Sequence, residues 1–207
     1  MLINSMSDRL PAQFDSWPDP GPDLSDEFID LWAEADELWD QFQDAPEFEG
    51  YVSSDYQLVY ESLSRLRGRV LTVLEWGSGL GIVTIMASRM GFEAYGIEAE
   101  AKLVSLAESL AVVHGPEARF AHGSFIPDDF DWVPDTGGLQ RTVVDVAAAY
   151  DELDMELRDF DLIYAYPWPD EHAMFRNIIR QFGHRRAMLL CYDAREGMEL
   201  VRYPLDD

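Results

Sequence analysis

The sequence predicts a three-layer α/β fold: a doubly wound, mostly parallel sheet with an N-terminal helical extension and a shortened C-terminal end. Three observations predict it. From Arg69 onward, short apolar runs alternate with helical patterns. The first of those runs passes directly into a glycine-rich turn that opens a helix. Ahead of both, an acidic segment carries apolar residues at helical spacing.

The elements follow in order. Residues 1 to 22 hold Pro11, Pro18, Pro20 and Pro22 among Asp and Ser, and read as an extended arm. Ser25 is placed to cap a helix whose first turn holds Asp26 and Glu27. Leu24, Phe28, Leu31, Trp32, Ala35, Leu38, Trp39 and Phe42 then form one apolar stripe, until Ala45-Pro46 ends the helix. A second helix is expected from Asp55 to Arg67, stopped by Gly68. Strands are expected at 70–75, 94–97, 119–122, 162–166 and 187–192, with helices at 80–90, 99–113, 142–157 and 170–182 between them. Residues 123 to 141 read as loop, and Met198 to Tyr203 as one antiparallel edge strand. The chain thus divides into an acidic arm and amphipathic helix, 1–50, and an α/β domain, 51–207.

Charge narrows the partners. Forty acids face fifteen bases, for a net charge of −25, while 47% hydrophobic residues are enough to build a core. Residues 1 to 60 alone hold fifteen acids against Arg9, a net −14. Such a chain repels phosphate backbones and anionic membrane surfaces, so neither nucleic acid nor membrane is an expected partner. Arg176, Arg180, Arg185, Arg186, Arg195 and Arg202 crowd the other end. They could meet the acidic segment within one chain or across a homodimer. Cys191 is the single cysteine, which excludes an intramolecular disulfide. The start MLINSMSDRL lacks the apolar region of a secretory signal, and no apolar run approaches the ~20 residues of a membrane span. A cytoplasmic protein is the expectation.

The informative segment is Glu75-Trp76-Gly77-Ser78-Gly79-Leu80-Gly81, between the first strand and the first helix of the alternating region. Glycines here let the backbone turn tightly and approach a ligand. A dinucleotide fingerprint would place its third glycine where Ile82 stands. Glu75, two residues before the first glycine, is poorly placed for a pyrophosphate and well placed for an ammonium group. It is equally placed to cap the following helix.

The loop resembles motif I, (D/E)-x-G-x-G-x-G, of the class I S-adenosylmethionine-dependent methyltransferases. Tyr95-Gly96-Ile97-Glu98, ending the second strand in an acid, fits the same family, and the resemblance covers about residues 50 to 195. It implies the Rossmann-like methyltransferase fold and S-adenosylmethionine as cofactor. Glu75, Gly77, Ser78, Gly79 and Gly81 would then hold the amino-acid end, and Glu98 the ribose hydroxyls. Ser124 stands where the family often has an adenine-reading Asp, with Phe125 beside it to stack on the base. Amino-methylating members carry (D/N/S)-P-P-(Y/F/W) after the fourth strand. Ala165-Tyr166-Pro167-Trp168 keeps only the second proline and the aromatic. Tyr166 and Trp168 are expected to wall the acceptor, Tyr166 also facing the sulfonium. His172 or Glu171 is a candidate general base, with His122 as rival. Tyr51, Ser54 and Tyr56 are candidates to cover the methionine moiety. No metal-ligand spacing is present. The expected activity is methyl transfer to a small-molecule or protein acceptor. Two alternatives stand: a non-catalytic module docking a partner through its acidic helix, and a nucleotide- or NAD-dependent enzyme.

Overall fold

A computed structural model of the chain describes residues 10–17, 19, 21–131, 142 and 146–202. The expected arm before residue 10, its Pro18 and Pro20, residues 132–141 of the expected loop, residues 143–145 of the expected fourth helix and residues 203–207 lie outside the described residues.

Six strands form one sheet in the order β3-β2-β1-β4-β5-β6. They are β1 (Thr72–Trp76), β2 (Glu93–Glu98), β3 (Arg119–His122), β4 (Leu162–Ala165), β5 (Met188–Asp193) and β6 (Gly197–Arg202). All pairs are parallel except β5 with β6, a hairpin that forms the expected antiparallel edge. The chain winds outward from β1 to β3, returns, and winds the other way through β4 and β5. The switch point therefore lies between β1 and β4, where open sheets of this kind bind ligands.

Both faces are covered, which is why the central strands read as continuous apolar runs rather than alternating ones. Alternation survives in which core each residue enters. Val73, Leu162, Tyr164, Leu190 and Tyr192 join one cluster, and Leu74, Trp76, Ile163, Leu189 and Cys191 the other. Around the sheet lie α1 (Ile29–Phe42), α2 (Tyr56–Leu66), α3 (Ile82–Arg89), α4 (Ala101–His114), α5 (Tyr150–Leu153) and α6 (His172–Phe182). Asp55 caps α2 by accepting from the Leu58 amide at 3.1 Å. No helix among the described residues is long and apolar enough to cross a membrane.

Three expectations need correction. Ser25 does not cap the first helix: a 3-10 turn, Ser25–Phe28, precedes α1, and the Ser25 amide itself donates to Asp23 Oδ1. The arm is not simply extended. Ala12–Ser16 forms a 3-10 turn whose Phe14 is 1% exposed, held by Gln13 Nε2 donating to the Leu200 carbonyl at 2.9 Å. Burying a phenylalanine contributes roughly 2–3 kcal/mol, which outweighs the prolines' preference for extension. Of the helix expected over 142–157, the described residues form only the single turn α5, because residues 146–149 run instead beside the end of β3, with Ser124 bridged to Ala148.

The acidic helix packs as part of the core. Leu31 and Ala35 are buried, Trp32 Nε1 donates to Met86 Sδ at 3.2 Å, and the Trp32 ring stacks with Tyr56 at 6.3 Å. Its acids face outward. One of them, Glu34, meets His114 at 2.7 Å and ties α1 to α4. Of the C-terminal arginines, Arg202 reaches the arm, lying 4.6 Å from the Trp17 ring, whereas Arg176 pairs with Glu199.

Candidate active site

A cleft of about 980 Å³ opens at the carboxyl ends of the strands, over the switch point. Its floor is the glycine loop. Glu75 ends β1 and is 6% exposed. Its Oε2 accepts from the Thr84 amide at 2.9 Å and from Thr84 Oγ1 at 2.6 Å. The carboxylate therefore caps the first turn of α3, where the helix dipole favours a negative charge. The capping role is real, and the second one stays open: Glu75 also lines the cleft, and its other oxygen has no hydrogen-bond partner among the described residues.

The loop's amides are committed inward. Gly77 and Ser78 donate to the Ile97 carbonyl at 2.9 and 3.0 Å, Gly81 donates to Ser78 at 2.7 Å, and Gly79 donates to Glu98 Oε2 at 2.8 Å. A phosphate-cradling loop keeps such donors free for its anion; this one spends them on β2 and on itself. Gly77 and Gly79 both have positive φ. A Cβ on Gly77 would meet nothing within 4 Å, so the loop is open there to the cleft. At Gly79 a Cβ would lie 2.4 Å from Tyr51 Cε2, so the Tyr51 ring rests directly on the loop.

Glu98 ends β2, as expected. Besides Gly79, it accepts from the Glu100 amide at 2.9 Å through Oε1. Desolvation raises its pKa above the ordinary carboxylate value, against the lowering effect of those amide donors. Desolvation is also the main reason the Glu75 pKa rises to about 8, Thr84 opposing it and Glu98 adding to it. An acid whose folded pKa exceeds its unfolded value binds protons more tightly in the folded state. Its contribution is therefore most favourable below about pH 4.5 and is lost as pH rises through about 8. The stability difference between wild type and Glu75→Gln should accordingly fall as pH rises across that window, as read by denaturant midpoints. A difference independent of pH would contradict it.

The far wall is aromatic. Tyr164 is 1% exposed, and its hydroxyl lies 2.6 Å from Ser54 Oγ. Tyr51 and Tyr56 hydroxyls lie 3.2 Å apart. Burial raises the pKa of all three phenols, and Glu75 nearby adds to each rise. Tyr164→Phe should cost about 1–2 kcal/mol by leaving Ser54 without its partner. Urea unfolding with an unchanged m-value is the check. Tyr166 and Trp168 line the cleft beyond β4, Tyr166 edge-on to Tyr192 at 4.7 Å and Trp168 reaching toward Gly50.

The remaining expected residues divide. Ser124 and Phe125 reach the cleft wall but are mostly built into the fold. Ser124 Oγ accepts from the Ile126 amide at 3.0 Å, and Phe125 stacks on Trp76 at 4.7 Å and 12°. One face of the Phe125 ring is thus already taken. His172 is not brought to the cleft: it opens α6, where it acts electrostatically on Asp193. His122 turns away too, its Nε2 lying 3.0 Å from the Ala99 carbonyl. Glu171, one position before His172, is 4% exposed and does line the cleft. It accepts from the Thr142 amide at 2.9 Å and from its hydroxyl at 2.6 Å, which fastens Thr142 at the cleft wall. Sequence reading missed Tyr164 and Thr142. Tyr164 was legible in principle, because the two-residue period of β4 turns it toward the α2 side. Cys191 is 2% exposed, and burial pushes its thiol up to about 12, as suits an inert core residue. No metal-binding group of His, Cys, Asp and Glu occurs among the described residues.

The same fold occurs in solved structures. An RNA methyltransferase from Salinibacter ruber in complex with S-adenosyl-L-homocysteine superimposes with a TM-score of 0.51 at 18% identity, covering 75% of this chain and all of that one. A methyltransferase from Geobacter sulfurreducens also gives 0.51, at 13% identity, covering 84% of this chain and 76% of that one. The fold is the Rossmann-like methyltransferase fold. No protein-family model matches the sequence, and no curated protein matches it significantly.

Proposed function

We propose that the protein transfers a methyl group from S-adenosylmethionine to an acceptor held in this cleft. The observation that carries the proposal is the convergence of Glu75, Glu98 and a glycine loop with its amides turned inward. The fit is chemical. A buried carboxyl oxygen without a hydrogen-bond partner suits an ammonium group, whose charge would draw the proton off Glu75, and a strand-end carboxylate suits a pair of hydroxyls. The open face of Gly77 gives backbone-close access. The aromatic wall offers ring faces to a sulfonium. A nucleotide or NAD reading loses support from the same loop, since its committed amides offer a phosphate little.

When bound, S-adenosylmethionine supplies an activated methyl carbon. This chain's contribution is placement. Glu75 and the loop hold the amino-acid end, Glu98 holds the ribose, and Ser124 and Phe125 border the base. Tyr166 and Trp168 frame the acceptor against the opposite wall. Tyr51 and Glu171 close the cleft from the N-terminal segment and from α6, excluding water. Aligning two reactants in this way supplies most of what a displacement at carbon requires. His172 has no part in this arrangement. Calorimetric titration with S-adenosylhomocysteine tests the proposal: one site of micromolar affinity is expected, and no heat at millimolar ligand would overturn it.

A further inference from the structure

We propose that Thr84 is a positioning residue for the cofactor's amino-acid end: it holds one oxygen of Glu75, leaves the other to the ligand's ammonium group, and governs whether a proton has to leave as the cofactor enters. The inference rests on the methyl-transfer reading above and extends it to a residue that itself touches no ligand. Thr84 is fully buried and is the third residue of α3, after the N-cap Gly81. Its amide and its hydroxyl donate to the same atom, Glu75 Oε2, at 2.9 and 2.6 Å. The hydroxyl also lies 3.3 Å from the Tyr95 carbonyl on β2. A β-branched side chain held from two strands keeps one rotamer. Oε2 is therefore committed. Oε1 is the oxygen left for a ligand, since Glu75 lines the cleft and has no other hydrogen bond among the described residues.

The surroundings of Glu75 make its charge conditional. The groups facing it are Thr84 from α3, Glu98 from β2, Tyr164 from β4, Tyr51 ahead of α2 and Tyr56 within it. None of these is a cation. Burial raises the Glu75 pKa to about 8, the two Thr84 donors oppose that rise, and Glu98 adds to it. In the empty site at neutral pH Glu75 is therefore mostly protonated. An ammonium group brings the charge that stabilises the carboxylate, so its arrival sends the Glu75 proton to water, and no other bond changes. Below about pH 8, binding releases a proton and weakens as pH falls; above it Glu75 is already ionised and the linkage fades. Without the Thr84 hydroxyl the carboxylate loses its shorter hydrogen bond. That disfavours the ionised form about tenfold and moves the boundary to higher pH.

The test compares wild type, Thr84→Val and Thr84→Ser by calorimetric titration with S-adenosylhomocysteine. Buffers of different ionisation heat count the protons released per ligand bound. The reference ligand is 5′-methylthioadenosine, which shares the nucleoside and lacks the ammonium group. At pH 8, Thr84→Val should release about 0.4 proton more than wild type on binding S-adenosylhomocysteine. Its affinity should fall about fivefold at pH 8 and only about twofold at pH 9. Its affinity for methylthioadenosine at pH 8 should stay within about twofold of wild type. Thr84→Ser, which keeps the hydroxyl, should restore the wild-type values. Equal proton counts and pH profiles in wild type and Thr84→Val would overturn the inference. So would a parallel loss of methylthioadenosine affinity, which marks a merely structural role. Should Thr84→Val not fold, Thr84→Ala is read in its place. Failure of both to fold beside a folded Thr84→Ser would also overturn the inference, because the hydroxyl would then serve the fold. Absence of S-adenosylhomocysteine binding to the wild type would instead overturn the methyl-transfer reading.

Discussion

Glu98→Ala should weaken S-adenosylhomocysteine binding by about 100-fold. Two hydroxyls donating to one carboxylate in a sheltered cleft form charge-assisted hydrogen bonds, and losing both is worth roughly 3 kcal/mol. The same substitution also frees the Gly79 and Glu100 amides that Glu98 now engages at 2.8 and 2.9 Å. Some stability should therefore be lost with the affinity, on the order of 1–2 kcal/mol. Glu98→Gln separates the two effects, because its amide oxygen can still accept from one of these backbone donors while the charge is gone. Calorimetry and thermal melting on both variants provide the check. Unchanged affinity in Glu98→Ala would remove the acid from the site.

Gly81→Ala should unfold the protein at markedly lower temperature. Gly81 has φ +72°, a left-handed backbone that costs an L-residue about 1–2 kcal/mol. A Cβ there would also lie 2.5 Å from the Phe120 ring and 2.8 Å from Ala107 Cβ. Overpacking of that kind typically costs about 1–3 kcal/mol. The sum, about 3 kcal/mol, corresponds to a fall in Tm of roughly 6–12 °C for a domain of this size. Gly77→Ala has similar strain but open space around it, so it should lose less stability and more ligand affinity. Equal Tm losses in the two variants would show that packing against Phe120 is not what requires the third glycine.

These two positions show why the fold and the cofactor side were legible in the sequence. A strand that ends in an acid and a glycine turn must change direction with positive φ, so composition and geometry imply each other at residues 75–81. The switch point followed from strand–helix alternation in the same way. Legibility failed where contacts distant in sequence decide. Phe14 is buried in the core and its neighbour Gln13 is tied to Leu200, far along the chain, so the arm's prolines misled. The 142–157 segment has helical spacing, yet the edge contact of Ala148 with Ser124 prevailed. His172 was attractive for its chemistry, but the residue one step earlier, Glu171, is the one that lines the cleft. Burial of Glu171 depends on Thr142, nearly thirty residues away, and no local pattern reports it. The −14 of the first sixty residues likewise read as a surface property. In the structure two of its members, Glu47 and Glu49, reach the cleft wall.

The most direct test of the account is a crystal structure of the protein with S-adenosylhomocysteine at saturating concentration. The account predicts ligand density in the cleft over β1 and β4, with the amino group at Glu75, the ribose at Glu98 and the sulfur facing the Tyr166–Trp168 wall. Density elsewhere on the molecule, or a ligand in this cleft that touches neither glutamate, would contradict it.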